Sequence, residues 1–208
     1  VISSMAEHDA VRKSLDELER RGYEVTRLPP DPSGAVPVQA VLDALRPDTV
    51  LVSLMLVNNE TGAVNDIPGL ARALKKAAPK VLLHCDAVQG FLKVPFTVKR
   101  LGADMVTISG HKIHAPKGIG ALYIRNGVKM TNLIYGGEQE RGLRAGTENT
   151  PAIVGMGKAL SLSCAELEQT AERIRALRNL LEGEITRRFP NAIVNGDREN
   201  RLPGTLHV

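Results

Sequence analysis

The apolar and polar positions of this chain switch between helical spacing and short apolar runs. Apolar residues at helical spacing from Val11 to Leu18, closed by Gly22, predict an amphipathic helix. We expect this helix to begin at the capping box Ser4-Met5-Ala6-Glu7, whose serine and glutamate would satisfy the first free backbone amides. Two further helices are predicted, one opening at Pro37 and one over residues 67–78 that ends before Pro79.

Short apolar runs between these helices predict the strands of a sheet. They are residues 23–28, 50–57, 81–83, 104–108 and 119–124. Residues 50–57 are almost wholly apolar, as expected of a parallel strand covered on both faces. Strands that alternate with helix-length connections predict an α/β fold, a three-layer αβα sandwich with a mainly parallel sheet.

The character of the sequence changes at Pro151. From there to Phe189 apolar residues continue at helical spacing, which predicts one long helix. We therefore expect a large domain over residues 1–150, followed over 151–208 by a connecting helix and the start of a smaller α+β domain. Val1-Ile2 and residues 206–208 resemble parts of strands, and domain boundaries rarely fall inside strands, so we expect sequence to be missing at both ends.

Composition narrows the class of protein. The chain is 43% hydrophobic and 24% charged, with no apolar run long enough for a membrane span, as in ordinary globular proteins. Two cysteines and no leader pattern favour the cytoplasm. The net charge of +4 is spread among acidic residues and only 3% of residues are aromatic, which argues against nucleic-acid binding. No metal site is predicted.

Polar residues follow several of the predicted strands where each run ends. Lys112 comes just after residues 104–108, and similar polar stops occupy 7–8, 58–60 and 86–89. In an open α/β sheet, ligands bind outside the carboxyl ends of the strands, so these stops should converge on one crevice. A lysine, a carboxylate, amides and an imidazole together suit an aldehyde cofactor, which indicates pyridoxal-phosphate chemistry.

Three of these residues suit the reactive part of such a cofactor. The Lys112 amine can condense with an aldehyde and, once released, move protons at a substrate α-carbon. Asp86 can pair with the protonated pyridine nitrogen, or it can simply cap the following turn. Gln89 lies three residues later on the same face, with its amide available to the phenolic oxygen.

The sequence offers four further candidates, two of which, Asn59 and His8, also have a structural interpretation. Asn59 can donate to the same phenolic oxygen, although residues 58–62 also have good turn chemistry. Ser109 and His111 can bind a phosphate through a hydroxyl and an imidazole. His8 can lie flat on the pyridine ring or shuttle a proton, but a histidine at a helix start is often structural.

Several motifs carry a resemblance to a known family. Ser109-Gly110-His111-Lys112, with residues 116–123 after it, resembles the lysine signature of class V aminotransferase-fold enzymes. Residues 58–62, 84–89 and above all 136–149 resemble the cysteine desulfurases, with selenocysteine lyases as close relatives. The stretch 136–149 separates this group from kynureninases and from phosphoserine and alanine–glyoxylate aminotransferases. The resemblance runs from Glu7 to Leu206.

The resemblance implies the large domain of a fold type I pyridoxal-phosphate enzyme and a role for each site residue. Lys112 would hold the cofactor covalently and, with His8 stacked on the ring, act in catalysis. The other cofactor contacts would be Asn59, Asp86, Gln89, Ser109, His111 and Thr147. Thr147 would reach the phosphate of the other subunit, which implies a homodimer.

The activity implied is removal of sulfur from L-cysteine, or of selenium from selenocysteine, giving alanine. The sulfur would pass to an enzyme-bound persulfide and then to a sulfur-acceptor protein, for iron–sulfur cluster or thio-cofactor assembly. The family's sulfur-accepting cysteine, substrate-binding arginine and glycine–threonine phosphate loop have no counterpart in these 208 residues. We therefore expect the chain by itself to be inactive, and we interpret Cys85 and Cys164 as small buried hydrophobic residues.

Two departures from the family pattern bear on the site. Ala115 and Glu138 stand where the family usually has glycine, and each would add strain of about 1 kcal/mol if its φ were positive. Two other functions also stay open. The protein can be an aminotransferase-type enzyme acting on another amino acid, or a non-catalytic α/β scaffold whose polar residues are only caps and turns.

Overall fold

A six-stranded sheet organises the protein, which a computed structural model describes over all of residues 1–208. The strands are β1 Ile2–Ser4, β2 Thr26–Leu28, β3 Leu51–Met55, β4 Leu82–Asp86, β5 Met105–Ser109 and β6 Gly120–Ile124. Their order is β2-β1-β3-β4-β5-β6, with β1 to β5 parallel and β6 antiparallel to β5. The predicted α/β fold with a mainly parallel sheet is confirmed.

Six helices and two 3₁₀ turns connect and flank the strands. The helices are α1 Asp9–Arg20, α2 Val38–Asp43, α3 Ile67–Ala77, α4 Val98–Leu101, α5 Thr150–Ala165 and α6 Leu167–Arg188. The 3₁₀ turns span Gly110–Ile113 and Gln139–Gly142. Helix α4 was not predicted, and the single long helix predicted after Pro151 is two helices, because the backbone leaves helical geometry at Glu166 (φ −113°, ψ 7°).

The main core lies on one face of the sheet. Alternate residues of β3 and β4 point into it, as the period of two in a strand requires. Val52 and Leu54 of β3 are fully buried there, beside residues of α2, α3 and α4 such as Leu70 and Leu101. The opposite face carries Ser53 and His84 and looks across a cavity towards α1. One face of the sheet is therefore packed against the core, and the other lines a cavity.

Helix α1 does not begin where the sequence predicts. Its N-cap is His8, and Ser4 is the last residue of β1 instead of a helix cap. Glu7 is buried and turns away from the helix to accept a hydrogen bond from the amide of Met55 (2.8 Å). The predicted capping box is wrong, because its glutamate has a partner on β3 that lies far away in sequence.

The C-terminal segment packs back onto the sheet domain. Arg201 forms an isolated antiparallel bridge with Ala63, and the amide of Leu202 donates to the carbonyl of Gly62 (2.8 Å). Leu202 belongs to the main core. The strand expected at residues 206–208 is not formed, and the domain boundary at residue 150 stays a prediction. None of the helices combines the length and apolar character that a membrane crossing requires.

Candidate functional site

A cavity of about 730 Å³ opens at the carboxyl ends of β3, β4 and β5, beside α1. Seven of the eight residues predicted for the site line it: His8, Asn59, Asp86, Gln89, Ser109, His111 and Lys112. The eighth, Thr147, lies outside it. The polar stops therefore converge as expected from a parallel sheet, and the roles assigned to them stay predictions.

The turn after β5 brings Lys112 to the cavity. In the 3₁₀ turn Gly110–Ile113, Ile113 is buried in a small apolar cluster with Met156 of α5, while Lys112 lines the cavity. Gly110 donates its amide to the carbonyl of Ile119 (2.9 Å), and a Cβ at position 110 would lie 2.7 Å from Ile119 Cγ2. Glycine is thus favoured at position 110, because a side chain there would collide with Ile119, the residue just before β6.

Asp86 is both a cap and a lining residue of the cavity. It ends β4, and its Oδ1 accepts a hydrogen bond from the amide of Val88 (2.9 Å). A carboxylate has a second oxygen with its own lone pairs, so capping the turn leaves Oδ2 for a ligand. The two interpretations of Asp86 are therefore compatible.

The two asparagines after β3 differ in what their side chains contact. Asn58 is buried, and its Oδ1 accepts from the amides of Glu60 and Thr61 (both 2.9 Å), while its Nδ2 donates to the carbonyl of Ala6 (3.0 Å). Asn59 lines the cavity. Because Asn58 satisfies the turn, the Asn59 amide is available to a ligand.

The two histidines of the predicted site each have one ring nitrogen engaged. Nδ1 of His8 accepts from the amide of Ala10 (3.1 Å), so a neutral His8 carries its proton on Nε2. Nδ1 of His111 is hydrogen-bonded to Ser109 Oγ (2.7 Å). The two residues predicted to bind phosphate therefore orient one another.

A row of polar side chains across the sheet below the cavity was not predicted. Ser53 Oγ is hydrogen-bonded to His84 Nδ1 (2.8 Å), and His84 Nε2 to Thr107 Oγ1 (2.8 Å). Burial lowers the pKa of His84, which favours the neutral ring that can both donate and accept. The row joins β3, β4 and β5. Its signal in the sequence was a polar residue at the middle position of each of the three strands.

The burial of Glu7 beside the cavity was also not predicted. Glu7 is only 5% exposed, and its Oε2 has no hydrogen-bond partner, while Oε1 binds the Met55 amide. Burial, opposed by the Met55 amide and reinforced by the nearby charge of Asp86, raises the pKa of Glu7 to about 8. Glu7 therefore keeps its proton to a higher pH than an exposed glutamate.

Replacing Glu7 by glutamine should change how stability depends on pH. Below pH 4.5 the side chain is protonated in both states, and between 4.5 and about 8 only the folded state keeps the proton, so wild-type stability falls as the pH rises through that window. Glu7→Gln removes this loss. We expect it to be more stable than wild type by roughly 2–4 kcal/mol at pH 8, and similar to wild type at pH 4.

Urea unfolding of the chain at pH 4, 6 and 8 measures this difference. The control is Glu172→Gln, at an exposed position on α6, which should keep the wild-type pH dependence. Parallel stability curves for wild type and Glu7→Gln would show that Glu7 ionises normally in the folded chain.

The segment 136–149 forms a separate surface next to the cavity. Thr147 is exposed and lines a neighbouring cavity of about 770 Å³ together with Arg144 and Asn149. Ala115 and Glu138, where strain was considered, do not have positive φ. The non-glycine residues with positive φ in this region are His114, Glu140 and Arg141. The two departures from the family pattern thus carry no backbone strain of that kind.

The two cysteines differ in accessibility. Cys85 is buried, and burial raises the pKa of its thiol, which suits a core residue and disfavours a nucleophile. Cys164 is exposed, so the expectation that it is buried is wrong. Helix α5 packs on the cavity wall through Met156 and Leu160, and Cys164 lies one turn beyond that contact.

Comparison with known proteins gives a consistent set of relatives. The family model Aminotransferase class-V matches residues 1–208. A cysteine desulfurase IscS of Anaeromyxobacter dehalogenans is 45% identical over 210 residues, which cover 100% of this chain and 52% of the relative. A cysteine desulfurase of Nostoc sp. is 44% identical over 208 residues with the same coverage. The chain spans about half the length of these curated relatives.

Several solved structures have the same fold as this chain. A NifS-like protein superimposes with a TM-score of 0.94 at 38% identity, covering 99% of this chain and 56% of the other. DndA from Streptomyces lividans gives 0.89 at 43% identity, with 97% and 57% covered. SspA in complex with cysteine gives 0.74 at 42% identity, with 77% and 46% covered.

Proposed function

The chain belongs to the class-V aminotransferase family, and we propose that the protein containing it is a pyridoxal-phosphate-dependent cysteine desulfurase. In the proposed reaction L-cysteine and an enzyme thiol give L-alanine and an enzyme persulfide. The carbon–sulfur bond of the substrate breaks and a sulfur–sulfur bond forms. The observation that carries the proposal is the meeting of Lys112, Asp86 and two amide side chains in one cavity.

The residues of the cavity fit pyridoxal phosphate by their chemistry. Lys112 would hold its aldehyde carbon, Asp86 would bind the pyridine nitrogen through the oxygen that is free of the Val88 cap, and His8 would lie against the ring. Asn59 and Gln89 would donate to the phenolic oxygen, and Ser109 with His111 would bind the phosphate. The bound cofactor supplies an electron-withdrawing ring that weakens the bond to the substrate's α-proton.

Within this proposal the chain's own residues position groups and move protons. The Lys112 amine takes the proton from the substrate α-carbon and returns one at a later step. Asp86, as a carboxylate, keeps a proton on the pyridine nitrogen. Asn58 holds the turn that presents Asn59, and the Ser53–His84–Thr107 row fixes the strand ends from which Asp86 and Ser109 extend.

The sulfur acceptor and the partners belong to the proposal as well. Neither Cys85 nor Cys164 lines the cavity, so the acceptor is a thiolate from outside these 208 residues. A homodimer in which Thr147 reaches the partner's phosphate is supported by the exposure of Thr147 beside the site. L-Cysteine as substrate is supported by the similarity to SspA, which was solved in complex with cysteine. Onward sulfur delivery to an acceptor protein in the cytoplasm completes the proposal.

Incubation of the full-length protein with pyridoxal phosphate, L-cysteine and a thiol reductant tests the function. We expect sulfide and alanine in equal amounts, and neither product from the 208-residue chain alone. A parallel reaction with selenocysteine decides between the desulfurase and a selenocysteine lyase. Glutamate or a keto acid in place of sulfide would identify an aminotransferase, and failure to bind the cofactor would favour the scaffold.

A further inference from the structure

A second lysine lies behind the cavity, on the segment that follows β4. This segment turns back on itself through hydrogen bonds from the amides of Gly90 and Phe91 to the carbonyl of Ala87 (3.0 and 2.8 Å). Gly90 packs against the end of β3 so closely that a Cβ there would lie 2.7 Å from Leu56 Cδ2. Lys93, four residues after Gln89, is therefore carried by a tightly packed turn.

The side chain of Lys93 is directed to Gln89. Its Nζ donates a hydrogen bond to Gln89 Oε1 (3.3 Å), at a half-buried position. An ammonium group has only donors, so it pairs with the carbonyl oxygen of the amide and not with the NH₂ group. Gln89 lines the cavity and Lys93 does not. Lys93 thus contacts a residue of the site from outside it.

The charge of Lys93 lies at a half-buried position without an acidic partner. Burial, and next the charge of Lys112, lower the pKa of Lys93. No carboxylate forms a salt bridge with Lys93, and the Gln89 carbonyl is its one side-chain partner. A half-buried lysine without an acidic partner has a cost in stability, so its contact with Gln89 suggests a function in the site.

We propose that Lys93 is a positioning residue of the cavity, which orients the Gln89 amide so that its NH₂ group faces an oxygen of the bound ligand. Without Lys93 the amide can rotate by half a turn and present its carbonyl oxygen, which repels an anionic oxygen. In the proposed function that oxygen is the phenolic oxygen of the cofactor. The identity of the ligand rests on the proposed function, whereas the Lys93–Gln89 contact is a property of the chain itself.

The contact is tested first in the full-length protein without any ligand. The side-chain NH₂ signals of Gln89 in an ¹⁵N–¹H spectrum, assigned by their loss in Gln89→Ala, should shift as the pH is raised through the lowered titration of Lys93. The shift should vanish in Lys93→Met and persist in Lys80→Met, an exposed lysine at the opposite end of β4. If the Gln89 signals of the wild type do not shift as Lys93 loses its proton, the proposal is overturned.

The consequence for ligand binding is tested in the full-length protein. We expect Lys93→Met to weaken pyridoxal-phosphate binding by about threefold to tenfold, the effect of one hydrogen bond, and Lys93→Arg to stay within about twofold because it keeps a charged donor. In a Gln89→Ala background Lys93→Met should have no further effect. Dissociation constants from absorbance titrations measure this cycle.

The spectra and the binding titrations test the inference and the proposed function separately. Equal losses from Lys93→Met with and without Gln89 would mean that Lys93 acts independently of the amide, and would overturn the inference. A wild-type protein that does not bind pyridoxal phosphate would defeat the proposed function. The spectra of the ligand-free protein would still decide whether Lys93 orients Gln89.

Discussion

Replacing Lys112 by alanine in the full-length protein should abolish the visible absorption band of protein-bound pyridoxal phosphate. Among the residues that line the cavity Lys112 is the one primary amine, so no other side chain there can bond covalently to an aldehyde. Reduction with borohydride followed by peptide mass spectrometry should show the cofactor mass on the peptide that contains Lys112, and no such mass in the variant.

Lys117→Ala is the matched control for this experiment. Lys117 is exposed five positions later in the same loop and does not line the cavity, so its removal should leave the band and the labelled peptide unchanged. A band of wild-type intensity in Lys112→Ala would refute the assignment of Lys112. Sulfide release should disappear together with the band, because the same amine moves the α-proton.

Asp86→Asn should lower the rate of sulfide release by about a hundredfold to a thousandfold. Asparagine keeps the oxygen that caps the amide of Val88, so the turn and the stability of the chain should be preserved. What is lost is the negative charge that keeps a proton on the pyridine nitrogen. Loss of one partner of a largely desolvated ion pair costs about 3–5 kcal/mol, which corresponds to a rate change of this size or larger.

Steady-state sulfide production at saturating cofactor, with thermal unfolding in parallel, checks this prediction. Asp66→Asn is the control, because Asp66 also caps an amide, that of Gly69 at the start of α3, and lies outside the cavity. A variant that loses stability but keeps its rate would mean that Asp86 acts only as a cap. A variant with normal stability and a large loss of rate would separate its two functions.

The cavity is built from residues that line it and from neighbouring residues that hold the surrounding chain in place. Motifs in the sequence indicated the first group, from His8 to Lys112, because an amine, a carboxylate, amides and imidazoles follow successive strands and so meet at one edge of a parallel sheet. The second group was not predicted. Lys93 contacts Gln89 of the first group directly, whereas Glu7, Asn58 and His84 bind the Met55 amide, the turn after Asn58 and the Thr107 hydroxyl. Each looks like an ordinary core or turn residue in the sequence.

Local sequence determined most of the regular structure. The spacing of apolar residues predicted α1, α2, α3 and the strands β2 to β6, because helix and strand periods depend on neighbours a few residues apart. The order of strands and helices also predicted a mainly parallel sheet, and with it the edge where ligands bind. The family motifs added the chemistry expected at that edge.

Where the local sequence pattern allowed more than one structure, tertiary contacts decided which one forms. Ser4 and Glu7 form a reasonable capping box in sequence, yet Glu7 instead binds an amide 48 residues away and the helix begins at His8. The hydrogen bond between Ser53 and His84 likewise spans 31 residues and depends on the register of β3 and β4. Such contacts exist only after the sheet has set which residues are neighbours. For this reason the sequence alone determined which groups reach the site, and the folded chain determined how they are held and shifted the pKa values of the buried Glu7 and His84 beside them.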